Sequence, residues 1–242
     1  KWSFDGALSD IKQAIAIQDL PIYTQLEGDI HYLKQDFNSA LASYKKVNES
    51  NIRSASTIFT EAKTLEMLET PAEEVLVLMD SCVAQFNKPY SADAAPYLIE
   101  RARVRMEAKQ ARNAVLDYDE CYAALLGNVN DGFYNLRGQA CLESKQYQRA
   151  LDDFTKAIEL NPRELTYYSE LAYVNMRVGR NQEAIDVLKK SLKIDAEYAE
   201  GYRLIGVAYL QLKQNAEACE YFNKAKELGD TNVDTLIEKY CK

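Results

Sequence analysis

The chain has 242 residues, 47% of them hydrophobic and 27% charged, which is enough apolar content for a core and excludes a disordered or low-complexity chain. With 9 Gly and 5 Pro there are too few turn formers for the many short strands of a β-sandwich or barrel. The net charge of −8 argues against a nucleic-acid partner, and apolar runs such as 75–79 fall far short of the ~18 residues of a membrane span.

Helical spacing of apolar residues then organises the chain from its N-terminus. Ala7, Ile11 and Ala14 predict a single helix within 1–20, spaced like the second half of a helix pair. Residues 21–54 predict a complete pair, with Gly28, Ala40, Tyr44 and Val47 on its seam. Residues 55–94 predict a less regular pair: Ala62, Leu78 and Ser81 keep the seam, Pro71 falls in the turn, and Glu74 stands where Ala is expected. Extra residues gather there around Asn87, Lys88, Pro89 and Tyr90. Residues 95–130 follow with Ala102, Ala114, Tyr118 and Cys121, and two residues are added near Gly127. Three further pairs cover 131–164, 165–198 and 199–232, and 233–242 reads as a helix that caps the apolar face of the last pair.

In the C-terminal half these pairs repeat with a period of 34: Tyr134, Tyr168 and Tyr202; Gly138, Ala172 and Gly206; Ala150, Ala184 and Ala218; Phe154, Leu188 and Phe222; Ala157, Ser191 and Ala225. Small residues let two antiparallel helices approach, and aromatic residues fill the wider gaps. Pro162 closes one unit and Gly179 supplies a turn. The stretch from Tyr134-Asn135-Leu136-Arg137-Gly138 through Tyr147-Gln148-Arg149-Ala150-Leu151 to Ala157-Ile158-Glu159-Leu160-Asn161-Pro162 resembles the tetratricopeptide repeat family, in the form its bacterial members take. That resemblance implies an all-α fold, a right-handed superhelical solenoid of helix hairpins. It also implies a groove lined by the first helix of each hairpin, in which a peptide or partner protein is held.

Carried onto this chain, the groove positions include Asp29, Lys63, Ile99, Ser169 and, as first contacts for a partner, Arg103, Asn135, Gln139, Tyr173, Arg177 and Arg203. Arginine in a groove holds carboxylates through paired hydrogen bonds, while Glu107, Glu143 and Glu200 make the groove mixed in sign. The Lys and Asn clamp by which one subfamily grips chaperone tails does not match, because Asn135 and Gln139, Gln25 and Asp29, or Ile99 and Arg103 hold those positions.

Nothing in the sequence assembles a catalytic, cofactor or metal site. His31 is the single histidine and falls in a packing column with Cys141 and Tyr209, so neither a triad nor a histidine-based metal site is expected. Gly201 and Gly206 have the spacing of a phosphate loop, but Val207 and Ala208 follow where Lys and Ser or Thr are required. Asp117, Asp119 and Glu120 open like a calcium loop, yet Tyr122 takes the place of its glycine. These acids, and the pair Asp152 and Asp153, are expected on solvated helix faces.

Cys82, Cys121, Cys141, Cys219 and Cys241 form no Cys-x-x-Cys pair, so no disulfide framework is expected and Cys241 is read as the reactive thiol. Unpaired cysteines fit a reducing cytoplasm, whereas a start at Lys1 fits a bacterial extracytoplasmic protein after signal removal or a piece cut from a longer repeat protein. The leading expectation is a non-enzymatic scaffold for a protein or peptide, without nucleic acid or membrane insertion. The alternative is a regulatory or self-associating module of a larger polypeptide.

Overall fold

The computed structural model describes residues 3–49, 54–86 and 91–241. Among them lie fourteen α-helices and no strand, gathered in two compact units, Lys1–Asn128 and Val129–Lys242. The first unit contains α1 (Phe4–Ile17), α2 (Pro21–Leu33), α3 (Phe37–Glu49), α4 (Ala55–Met67), α5 (Ala72–Val83), α6 (Ala95–Glu107) and α7 (Ala111–Ala124). The second contains α8 (Asp131–Glu143), α9 (Tyr147–Leu160), α10 (Leu165–Arg177), α11 (Asn181–Ile194), α12 (Ala199–Gln211), α13 (Asn215–Glu227) and α14 (Asp234–Tyr240). The insertion expected at Asn87, Lys88, Pro89 and Tyr90 lies outside the described residues.

Local chemistry sets the helix ends. Ser54 Oγ accepts from the Thr57 amide at 3.1 Å and Asn130 Oδ1 from the Phe133 amide at 2.9 Å, satisfying donors that the first helical turn leaves open. Each hairpin turn carries one residue in the left-handed region: Gln35, Glu69, Lys109, Lys145, Gly179 and Lys213. The chain then closes back on the preceding helix, as when the Gln146 amide donates to the Cys141 carbonyl at 2.7 Å and the Arg180 amide to the Asn175 carbonyl at 2.8 Å. Glycine meets this backbone requirement in one of the six turns; in the others the short reverse turn imposes it on longer side chains.

Within the hairpins the small column of the first helix meets the large column of the second. A Cβ on Gly138 would lie 2.9 Å from Phe154, and one on Gly206 would lie 2.5 Å from Phe222. Where the first helix has Ala172, the residue sixteen positions on is the smaller Leu188, and both are fully buried in one cluster. In the three hairpins of the second unit glycine against phenylalanine and alanine against leucine keep the interhelix space filled at similar volume, whereas α6 and α7 pair Ala102 with Tyr118, both buried.

The α4/α5 hairpin corrects the expected register. Its turn is one residue longer than the others, so α5 begins one position later and the buried seam runs through Val75, Met79 and Cys82 rather than Leu78 and Ser81. Glu74 is exposed as a result, and its mismatch with the alanine column disappears.

Two acids expected on solvated faces are instead buried. Asp117 accepts from Arg101 and from Arg105, each with a closest distance of 2.6 Å, and both arginines also reach Asp80 on α5. Asp153 is held by Arg137 at 2.7 and 3.0 Å. The fork of a guanidinium matches a carboxylate, which lets a first helix bolt to its second through the hairpin interior. In the next hairpin the same positions carry Leu171 and Val187, an apolar solution to the same packing problem.

The cysteines need a second correction. Cys219 on α13 and Cys241 after α14 form a disulfide with Cα atoms 5.5 Å apart, so Cys241 is not a free thiol. Residues distant from one another in an odd, scattered set meet because the chain turns back after Gly229 and lays α14 along α13. Cys82, Cys121 and Cys141 are buried thiols; burial pushes those of Cys82 and Cys121 up to about 11, which keeps them protonated.

Candidate functional site

In the second unit α8, α10 and α12 are the first helices of successive hairpins and lie side by side. Between α10 and α12 opens a cleft of about 310 Å³ lined by Thr166, Ser169, Glu170, Tyr173, Glu200, Arg203 and Leu204. Residues three and four apart on α10 place Thr166, Ser169, Glu170 and Tyr173 on the face that meets α12. Tyr173 is 44% exposed, an aromatic ring left open in a protein whose other repeat-column tyrosines are largely packed.

The polar groups of the cleft are linked. The Tyr198 hydroxyl lies 2.6 Å from that of Ser169 and donates to Glu200 at 3.1 Å. Arg203 donates to Glu200 at 2.7 Å and to Asp230 at 2.8 Å. Glu170 accepts from the Gln139 amide on α8 at 3.2 Å, and among the described residues no Lys or Arg pairs with its carboxylate. Burial pushes the Glu170 carboxyl above the usual carboxylate range, and the nearby Glu200 adds to the rise against the Gln139 bond.

Of the expected contacts, the second unit thus brings Gln139, Tyr173 and Arg203 around one cleft. Asn135 lies a turn before Gln139, and its buried Oδ1 has no hydrogen-bond partner among the described residues. Arg177 is exposed a turn beyond Tyr173, and the hydroxyls of Tyr147 and Tyr173 hold its pKa above the ordinary value. Arg103 belongs to the first unit, where it donates to Glu100 at 3.0 Å, to Glu107 at 2.5 Å and to Glu66. Burial works against its charge, but the bonds to Glu66 and Glu100 outweigh it and raise its pKa. Arg103 and Arg203 are therefore not open forks awaiting a carboxylate: acids of the same face already fill them.

Lys63 is likewise paired, with Glu66 at 2.6 Å and Glu100 at 3.3 Å. It borders a separate pocket of about 430 Å³ in the first unit, together with Asp29, Tyr32, Leu33, Tyr44, Phe59 and Thr60. There the Tyr44 hydroxyl donates to Asp29 at 2.7 Å. His31 is mostly buried, with Nδ1 3.2 Å from an Asp36 carboxylate oxygen. Among the described residues no group of three His, Cys, Asp or Glu is placed to hold a metal, and no helix is long and apolar enough to cross a membrane.

Glu170 is absent from the expected contacts, although the repeat contains a sign of it. Positions 136, 170 and 204 form a column of period 34 that reads Leu, Glu, Leu. Within the second unit a carboxylate thus stands between two leucines of its column, and this departure marks the cleft.

A ladder of helix hairpins with glycine and alanine seams, a 34-residue period and an open first-helix face defines a helical repeat scaffold. Comparison with known proteins agrees: tetratricopeptide repeat family models match residues 133–164 and 169–233. Residues 133–164 and 169–233 of this chain are thus matched as tetratricopeptide repeats. The chain is 33% identical over 95 residues to the small glutamine-rich tetratricopeptide repeat-containing protein 2 of Mycosarcoma maydis, a match that covers 39% of this chain and 27% of that protein's length. In fold it is similar to the C-terminal part of a TPR repeat-containing protein from Cytophaga hutchinsonii, with a TM-score of 0.76 at 14% identity over 97% of this chain and 93% of the other. It is similar too to YrrB, described as a TPR protein with an unusual peptide-binding site, with a TM-score of 0.62 at 19% identity over 81% and 97%.

Proposed function

We propose that this chain is a non-enzymatic scaffold that binds an extended segment of a partner protein along the first-helix face of its second unit. Asn135, Gln139, Tyr173, Arg177 and Arg203 make the contacts there, and Arg103 occupies the related face of the first unit. The hairpins act as successive repeats over 21–54, 55–94, 95–130, 131–164, 165–198 and 199–232, with the preceding helix and α14 at the two ends. The observation that carries this reading is the α10/α12 cleft, where an exposed aromatic ring stands beside polar side chains on a frame of packed helices. An extended peptide gains from such a surface through side-chain pockets and directed hydrogen bonds. The tetratricopeptide repeats matched at 133–164 and 169–233 support a protein-interaction role, and the description of YrrB supports a peptide as the ligand form.

The test is capture of partners from the native cell extract by the intact chain and by a Tyr173→Ala, Gln139→Ala variant. The reading expects a protein retained by the wild type and lost by the folded variant. Equal retention by both would reject this face as the binding surface.

A further inference from the structure

The charge balance of the cleft specifies what kind of segment it accepts. Two carboxylates, Glu170 and Glu200, line the cleft with a single guanidinium, that of Arg203, which also pairs with Asp230. Arg203 is consumed by Glu200 and Asp230, which leaves Glu170 with a neutral amide as its bonded neighbour. A carboxylate that is largely withdrawn from water and lacks a cation is unfavourable unless something supplies that cation. In the first unit the corresponding column position is Glu100, and there the protein supplies the cations itself, through Arg103 at 3.0 Å and Lys63 at 3.3 Å. The second unit has the acid and the opening but omits the internal partner.

Tyr173 strengthens the same preference. Its ring lines the cleft beside Glu170 and is open to solvent, so a flat cation entering the cleft meets a π face as well as a carboxylate. The neighbouring column residues Leu136 and Leu204 show that the fold is satisfied by an apolar side chain at this level of the repeat. Glutamate at 170 is not there to pack.

Resting on the peptide-binding reading above, we propose that the α10/α12 cleft takes an arginine or lysine side chain of the bound segment, and that the partner is a basic, extended peptide. The guanidinium or ammonium group pairs with Glu170 and lies against Tyr173, while Arg203, locked by Glu200 and Asp230, forms the wall that fixes its position. This reverses the role that groove arginines suggest: the arginines brace the site, and the acids do the recognising.

The test uses the full chain and short labelled peptides that alternate serine with arginine, with glutamine or with glutamate, followed by fluorescence anisotropy at two salt concentrations. The arginine probe should bind about tenfold more tightly than the glutamine probe, more so at low salt, and the glutamate probe more weakly than either. Glu170→Gln should remove that preference, bringing the arginine probe to the affinity of the glutamine probe. Glu170→Leu, which restores the column residue and keeps the fold, should do the same. Equal affinity for the arginine and glutamine probes, each lost in Tyr173→Ala, would overturn the cation assignment while leaving the groove in place. Failure of every probe to bind would overturn both readings.

Discussion

Replacing Gly206 with Ala tests the packing rule on which the repeat rests. The new Cβ would sit 2.5 and 2.6 Å from two ring carbons of Phe222 and 3.1 Å from the Ala218 carbonyl oxygen. Carbon atoms rest about 3.5–4.0 Å apart, so the ring must retreat by about 1 Å. It has nowhere to go, because Ala218, Phe222, Ala225 and Val233 are all fully buried in one cluster beneath α14. Overpacking of this kind costs roughly 1–3 kcal/mol, against about 1 kcal/mol returned by alanine's better helix propensity. The expected net loss is about 1 kcal/mol, the middle of a range of roughly 0–2, read in urea melts followed by far-ultraviolet circular dichroism. Phe222→Leu reproduces the Ala172 and Leu188 pairing of the preceding hairpin, so the double variant should be no less stable than Phe222→Leu alone. The two changes should couple by about 1 kcal/mol or more. A Gly206→Ala protein as stable as the wild type, or strictly additive effects, would refute the argument that the Phe222 ring requires glycine at 206 in this hairpin.

Asp117→Asn leaves Arg101 and Arg105 without their buried carboxylate and should destabilise the first unit by about 3 kcal/mol in the same melts, with little effect on the second. Reducing the Cys219–Cys241 bridge, which spans 22 residues of chain, should cost about 3 kcal/mol through freedom returned to the unfolded chain, and hydrogen exchange should show α14 and the end of α13 opening first. Glu170→Leu should stabilise the protein by about 1 kcal/mol at neutral pH, since it buries apolar surface and removes a charge withdrawn from water. Because burial raises the Glu170 carboxyl, that residue favours the fold below the ordinary carboxylate pKa of about 4.3 and loses its contribution as pH rises through the raised value. Gln139, Glu200 and Arg203 face it and stay in place in the variant, so the gain from leucine should shrink on acidification; a gain that is constant from pH 4 to pH 7 would exclude this account.

Much of the architecture was readable in the residues themselves because it depends on local spacing. Apolar residues at three and four, small residues every 34, and a short turn between them require hairpins that stack, whatever the finer contacts. The all-α class follows from that periodicity, and the likeness to tetratricopeptide repeats follows from the motif residues of 134–162. The position of α5 did not follow, since one added turn residue shifts every column of a helix by a full 100° step without altering its composition. Nor did the burial of Asp117 and Asp153, because an acid on a helix face reads as solvated until an arginine sixteen residues earlier is brought against it.

The site shows the same division. Tyr173, Gln139 and Arg203 were legible as members of the first-helix face, for they occupy columns that the repeat assigns to it. Acids three or four residues away on the same helix pair with each arginine, and neighbours 27 to 37 residues away complete the set, Asp230 for Arg203 and Glu66 for Arg103. The Cys219 and Cys241 bridge likewise depends on where the final helix turns back, a matter of chain path that an odd count of scattered cysteines cannot express. Periodicity is a property of the chain, whereas ion pairing, register and disulfide partners are properties of distances in space, and only the tertiary structure supplies those.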